Sequence, residues 1–469
     1  MRGWFDTIRI RATSSAGRTS EGGARGLSVS DGIYFVVGIV IGAGIFKTPS
    51  LVAANVTSAG SAMLAWMLGG VASLLGALCY AELASTYPHK GGDYHYLTRA
   101  FGGTVGFLFA WSRMAVIQTG SITMQAFLIG DYASRVASFG PHSASIWAAL
   151  VIALLTGANI AGLEQCRVLQ RVLTAALVLG LVLVVVAGLV LTPAPAPAAA
   201  AAATAANPAF GLAMVFVLLT YGGWNEAAYL SAELRGGRRA VVRVLVIGIG
   251  LITAIYLAVN LIFLRGLGFP AIAGSDAVAA DLMRRAIGPV GVPLISVLVS
   301  LAALSTMNAT IFTGARTTFA LGQSFAPFQR LGRWHDGADT PRSALVVQGA
   351  IALALVLLGD VTRGGFVTMV EYTAPVFWGF LLLVGLSLFV LRKKDPDAAR
   401  PFRVPLYPLV PVLFCGVCLH MLRSSLAYTG VGALVGVGVL LAGVPVLLLP
   451  RPRPRARGRG RRRAAEARR

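Results

Sequence analysis

The sequence predicts an all-α integral membrane protein with twelve membrane-spanning helices. Three observations lead there. Apolar residues fill 56% of the 469 positions and charged residues only 12%. An ordinary soluble domain carries about 25% charged residues, so too few remain here to cover a soluble surface. Apolar runs of about 20 residues, each long enough to cross a hydrocarbon core of about 30 Å as a helix, recur along the chain. The runs are continuous, without the period-two alternation of a membrane β-barrel. The same composition excludes disorder, and four cysteines are too few for a disulfide scaffold.

In chain order the expected spans are 31–56, 61–87, 104–130, 144–163, 168–192, 209–232, 241–264, 288–315, 343–360, 366–391, 405–423 and 430–450. They group into a first half (31–192), a second half (209–391) and two further helices (405–450), with a Pro/Ala-rich uncharged loop, Thr192–Pro208, between the halves. Residues 1–30 are polar and basic and lack an apolar core, so they read as a disordered tail with no cleavable signal peptide.

The net charge is +22, from 40 Lys+Arg against 18 Asp+Glu. With the N-terminus inside, 32 of these basic residues fall in inner segments and 6 in outer ones, and Lys47 and Arg113 lie within spans. That asymmetry predicts an inner-membrane protein with both termini cytoplasmic and an even number of spans. The tail 451–469 holds ten Arg and one Glu. It reads either as a contact for anionic lipids, at about 1 kcal/mol per charge, or as a topology anchor with no specific partner. Lacking aromatics and a folded basic module, it is not expected to bind nucleic acid.

Cys415 and Cys418 form a CxxC, but inside an apolar span and without a second pair, so packing is expected rather than metal or redox chemistry. No metal-ligand spacing, nucleophilic triad or phosphate-binding loop is recognisable, no cofactor is implied, and an enzyme is not expected.

Two spans carry glycine interruptions. In the first, Gly42-Ala43-Gly44 sits in mid-span, followed by Pro49. Each glycine costs about 1 kcal/mol relative to alanine in a helix. Freed backbone groups in lipid must meet protein, water or a ligand. Close helix packing through small residues is the other reading of this stretch. The sixth span repeats the feature: Tyr221-Gly222-Gly223-Trp224-Asn225, with Gly222 180 positions after Gly42. Paired interruptions at corresponding places in two halves point to a ligand site at the membrane midplane of an inverted-repeat transporter. Freed N–H groups of Gly44 and Ile45, at a new helix start, suit a carboxylate. Freed carbonyls near Val40 and Leu219 suit an ammonium.

Gly42-Ala43-Gly44-Ile45-Phe46 resembles the helix 1 signature of the amino acid–polyamine–organocation superfamily. Cys79-Tyr80-Ala81-Glu82-Leu83, Tyr87-Pro88 and Gly91-Gly92-Asp93-Tyr94 are similar to the segments that follow it there. Tyr221-Gly222-Gly223-Trp224-Asn225 resembles helix 6 of its L-type amino acid transporter branch and of related bacterial amino acid permeases. Arg392-Lys393-Lys394-Asp395-Pro396 and Arg400-Pro401-Phe402-Arg403-Val404-Pro405 resemble the loop after helix 10. The resemblance covers about residues 31–450 and implies the leucine-transporter fold, with a 5+5 inverted repeat plus two helices and helices 1 and 6 discontinuous. It implies secondary-active transport of L-amino acids by alternating access. The backbone of Gly42, Ala43 and Gly44 would hold the substrate carboxylate. Carbonyls of Val40, Leu219 and Gly222 would hold the α-amino group, and Trp224 and Asn225 would shape the side-chain pocket.

Two departures stand out. Leu219 replaces the aromatic gate of many relatives, with Phe216 one turn earlier as a substitute. Leu177 replaces a helix 5 lysine, which leaves a proton or another coupling ion open. The outer loop 131–143 lacks the cysteine that joins heteromeric relatives to a partner, so no disulfide-linked accessory subunit is expected.

Ionisable groups inside spans are candidates for gating or coupling. Glu82 and Arg113 lie at similar depth and read either as an inner-gate pair or as two side chains snorkelling separately. Glu226 and Glu371 read either as proton carriers or as groups satisfied by hydrogen bonds. Ser305, Thr306 and Asn308 face either the substrate or ion site or their own helix backbone. With Glu226 the only carboxylate near the breaks, a neutral amino acid is expected over a cationic amino acid or polyamine. A non-transporting sensor or scaffold on the same fold is the alternative of another class.

Overall fold

The computed structural model describes residues 27–42, 44–89, 91–191, 210–231, 234–275, 277–335, 337–362, 365–428 and 431–448. Most of the basic N-terminal tail, Ala43, the Pro/Ala-rich loop and the Arg-rich tail 451–469 lie outside the described residues.

Helices α1 (Val29–Val40) and α2 (Gly44–Ala53) precede α3 (Ala59–Thr86) and a short α4 (Asp93–Phe101). Then come α5 (Gly103–Ser112), a π-helical turn (Arg113–Ile117), α6 (Gln118–Val136), α7 (Ser143–Ala161) and α8 (Leu163–Val190). In the second half, α9 (Phe210–Thr220), a 3-10 turn (Trp224–Glu226) and α10 (Ala227–Leu230) lead to α11 (Arg238–Leu267). Two short helices, α12 (Phe269–Ala273) and α13 (Val278–Ile287), precede α14 (Gly291–Ser324). The chain continues through α15 (Arg342–Thr362), α16 (Gly365–Lys394), α17 (Leu409–Tyr428) and α18 (Val431–Leu448). Among the described residues there is no strand, only isolated bridges between Leu27 and Leu234 and between His335 and Thr340.

Among the described residues, eight helices are long and apolar enough to cross a membrane, and the pair α1 and α2, bent by 47° at its break, makes a possible ninth. The chain is therefore a multi-pass, all-helical membrane protein. Three of the twelve expected spans are not among these. The third runs from α5 through the π-helical turn into α6, the sixth stops at Thr220, and the last corresponds to α18. The eighth runs nine residues beyond its expected end, to Ser324. The eleventh starts at Leu409, not 405, because Pro405 and Pro408 cannot supply helical N–H groups. Helices α4, α12 and α13 lie where the sequence suggested loops.

Local chemistry fixes the ends that position the centre of the bundle. Helix α1 opens on a capping box: Asp31 N–H donates to Ser28 Oγ at 3.1 Å, and Ser28 N–H donates to Asp31 Oδ2 at 3.0 Å. The other Asp31 oxygen pairs with Arg171 of α8, which pins the start of α1 to its neighbour. Helix α1 packs on α8, α11 and α14, while α9 packs on α2 and α3. The buried core is continuous around these contacts and includes Phe35, Trp66, Tyr221 and Tyr256.

At one end of the bundle Glu82, 1% exposed, is clamped by Arg392 through both oxygens, one at 2.8 Å. The backbone N–H of Val404 adds a bond at 2.7 Å and Arg400 stands 3.6 Å away. This ties α3 to the segment after α16.

Candidate substrate site at two helix breaks

In an uninterrupted helix the N–H of Gly42 would return to Gly38 O. Here it turns to Val40 O at 2.8 Å. The Gly38 carbonyl is thereby released, and Thr306 of α14 donates its hydroxyl to it at 3.0 Å, with Ile39 O at 3.2 Å. A Cβ at Gly42 would stand 3.2 Å from that same hydroxyl, so the residue has to be small.

The second break follows the same logic. Tyr221 N–H still reaches Val217 O at 2.9 Å, but Gly222 N–H turns to Leu219 O at 3.1 Å. Gly223 then takes φ +106°, a left-handed conformation open to glycine, and the 3-10 turn begins. A Cβ there would lie 2.5 Å from Ile39 Cγ2, so the second break packs directly against the end of α1. Thr220 Oγ1 donates to Thr48 Oγ1 of α2 at 2.8 Å, and Gly44 sits against the Thr220 side chain.

One side chain joins the two breaks. The Tyr256 hydroxyl, from α11, lies 2.7 Å from Val40 O and 3.1 Å from Thr220 O. These are the carbonyls that the missing helical N–H groups of Gly44 and Trp224 would have taken. Tyr256 is fully buried, its ring edge-on to Trp66 at 5.5 Å and to Tyr221 at 4.9 Å between centroids. Tyr221 in turn donates to Trp66 O at 3.1 Å.

The structure thus brings Val40, Gly42, Gly44, Ile45, Tyr221, Gly222, Gly223, Trp224 and Asn225 to one neighbourhood; Ala43 lies outside the described residues. In this conformation Val40 O is taken by Tyr256 and Gly42, and Leu219 O by Gly222. The Leu219 side chain is exposed and Phe216 is half-buried against the core. A cavity of about 20 Å³ adjoins the second break, lined by Gly222, Gly223, Trp224 and Asn225 with Phe377 and Trp378 of α16. That is room for about one water beside the second break.

Glu82 and Arg113 do not pair with each other, because each has a nearer partner. Glu82 is held by Arg392, and Arg113 Nη2 meets Glu226 Oε2 at 2.5 Å, with side-chain exposures of 2% and 8%. The Arg113 guanidinium also lies over the Tyr229 ring at 4.1 Å. Arg113 opens the π-helical turn, a distortion that aims one side chain out of register.

Ser305, Thr306 and Asn308 face neighbouring helices. Gln170 Nε2 donates to Ser305 Oγ at 3.0 Å, and Asn308 Nδ2 donates to Gln170 Oε1 at 2.8 Å. Asn159 Nδ2 donates to Asn308 Oδ1 at 2.9 Å. This buried neutral network lies beside Gly38. Glu371 is half-buried in α16. Tyr256, Gln170 and Asn159 were not singled out from sequence; each is one of a few polar groups in a mostly apolar span, and nothing local sets it apart from the others.

A sequence model of the amino acid permease family matches residues 27–440. The large neutral amino acids transporter small subunit 2 of Rattus norvegicus is 30% identical over 459 residues, covering 96% of this chain and 84% of that protein. The human protein of that name is 30% identical over 425 residues, covering 88% and 78%. The b(0,+)-type amino acid transporter 1 of Mus musculus is 28% identical over 405 residues, covering 84% and 81%. The family is one of permeases and these relatives are named as transporters, so the chain is a membrane transporter and not an enzyme. The chain belongs to the amino acid permease family.

Proposed function

We propose that the protein carries neutral L-amino acids across the inner membrane by alternating access, as a secondary transporter with twelve spans and both termini cytoplasmic. The α-carboxylate is held by N–H groups at the start of α2 and the α-ammonium by carbonyls at the ends of α1 and α9. Tyr256 occupies the Val40 and Thr220 carbonyls in the described conformation and yields one to the incoming ammonium. Its single hydrogen-bond proton shared between two carbonyls is the observation that carries this reading.

A neutral side chain is favoured because Glu226, the carboxylate nearest the breaks, is already neutralised by Arg113. The names of the relatives cover both large neutral substrates and a b(0,+) type, so the side-chain class needs its own test. The relative named a small subunit is part of a larger assembly by its name; this chain is proposed to act without a disulfide-linked partner, because the outer loop 131–143 holds no cysteine.

The test is a panel of labelled neutral, cationic and anionic L-amino acids presented to proteoliposomes under imposed proton and sodium gradients. Saturable uptake of neutral amino acids is expected. Uptake confined to cationic amino acids or polyamines would replace the reading with a cationic exchanger, and no flux under any gradient would favour a sensor.

A further inference from the structure

A second polar cluster lies away from the breaks, at the start of α4. Asp93 is 3% exposed, and its Oδ1 completes no hydrogen bond among the described residues. From α3 the Tyr80 phenol faces it, and from α10 the Tyr229 phenol. The Arg113–Glu226 pair faces it from the π-helical turn and the 3-10 turn. Tyr96, on α4 itself, also stands close, and Thr317 of α14 lies behind Tyr229. The hydroxyls of Tyr80, Tyr96, Tyr229 and Thr317 and Nε of Arg113 are likewise buried, and the Tyr80 and Tyr229 phenols stand close enough to the Asp93 carboxyl to favour its charged form. Burying this many polar groups around one carboxyl marks a polar site inside the bundle.

Charge counting makes the point sharper. Two carboxylates, Asp93 and Glu226, share one guanidinium, so full ionisation leaves a buried net charge of −1, which burial strongly disfavours. The other cations near α4 are engaged at its far end. Arg99 pairs with Asp395, and Lys394 of α16 donates to Ala100 O at 2.8 Å. His95 is kept neutral by burial and by His89 and Arg99, which push it down to about 4. Something must neutralise Asp93, and a proton is the smallest candidate that fits so closed a space.

We propose that Asp93 binds and releases one proton during the conformational cycle: it is a carboxylic acid while Arg113 holds Glu226, and a carboxylate once that pair parts, Glu226 meets water and Arg113 turns to Asp93. The proton is exchanged with water at the end of the bundle where α4 lies, and no other bond is made or broken. Burial, helped by Glu226 and opposed by Arg113, pushes the Asp93 carboxyl up to about 7. A carboxyl raised in the folded chain stabilises the described conformation at low pH and withdraws that support as pH rises through about 7. Only the flux arm of the test below depends on the proposed transport.

The experiment is an infrared titration of the full chain in nanodiscs, following the carboxylic-acid carbonyl band from about pH 5 to about pH 9. Wild type minus Asp93→Asn is expected to show one carboxyl losing its proton near neutrality. A difference spectrum with no titrating band in that range overturns the proposal. Should Asp93→Asn fail to fold, Tyr80→Phe serves instead. It removes a phenol that favours the carboxylate, so the midpoint should move upward; an unmoved midpoint overturns the assignment. In proteoliposomes, wild-type uptake is expected to change several-fold between about pH 6 and about pH 8, and Asp93→Asn uptake to be flat. A titrating band with no amino acid flux at any pH would sink the transport reading and leave the proton site standing.

Discussion

The hydroxyl of Tyr256 lies 2.7 Å from the carbonyl oxygen of Val40, the last residue of α1. The Thr220 carbonyl, last in α9, accepts from the same hydroxyl at 3.1 Å. One phenol thereby holds two helix ends whose carbonyls lack their usual i+4 donors. Removing it by Tyr256→Phe keeps the ring contacts with Trp66 and Tyr221 but takes the donor from Thr220 O and leaves Val40 O with the Gly42 N–H alone. A buried hydrogen bond contributes about 0.5–1.5 kcal/mol net, so uptake kcat/KM should fall by about 2- to 12-fold. Uptake kinetics alongside a melting curve check this; unchanged kinetics would remove Tyr256 from the site.

Gly42→Val is expected to abolish uptake while leaving a monodisperse, folded protein. The new side chain would enter the space beside the Thr306 hydroxyl, 3.2 Å from Cβ, and block the N–H groups that follow. Size-exclusion profile and proteoliposome flux separate a blocked site from a misfolded chain.

Gly223→Ala acts on the backbone. At φ +106° a Cβ costs about 1–2 kcal/mol, and this one would also press on Ile39. A lower melting temperature and reduced uptake are expected together. Gly237, with φ +72° and open space around it, is the control: alanine there should affect stability alone.

Breaking the Arg113–Glu226 pair should be severe. Leaving one charge of a buried pair unpartnered costs about 3–5 kcal/mol, so Arg113→Met and Glu226→Gln should each destabilise strongly. The double variant should be less damaged than the two effects added, because no lone charge remains. A double-mutant cycle by chemical denaturation in detergent measures this; strict additivity would mean the two groups do not interact.

The Glu82 clamp predicts a local effect at the end of the bundle. Glu82→Gln removes charge-assisted bonds to Arg392 and the acceptor for Val404 N–H. Amide exchange around residues 400–404 should quicken by about tenfold or more, with the exchange of α14 unchanged.

Much of the helical architecture was legible because apolar run length and glycine clusters are local signals. Gly42, Gly44, Gly222 and Gly223 pointed to interruptions, and the hydrogen-bond ladder departs from the α-helical pattern at Gly42 and Gly222. What could not be read were partners distant in sequence. Glu82 and Arg113 sat at similar depth, and depth alone left open whether they pair or snorkel separately. Which way each side chain points was settled by the π-helical turn at Arg113 and by the loop that brings Arg392 to Glu82, neither encoded in hydropathy. Tyr256 was invisible for the same reason: a phenol 216 positions from Val40 has no signature until α1 and α11 are packed. The start of α17 was misplaced because hydropathy outweighed Pro405 and Pro408.

The most direct test of the central claim asks whether both ends of the zwitterion are needed. Uptake of a labelled neutral L-amino acid by proteoliposomes is measured in competition with its unlabelled form, its methyl ester and its decarboxylated amine. If bare peptide groups at the two breaks grip carboxylate and ammonium together, only the intact amino acid competes. Equal competition by the ester or the amine would contradict the account.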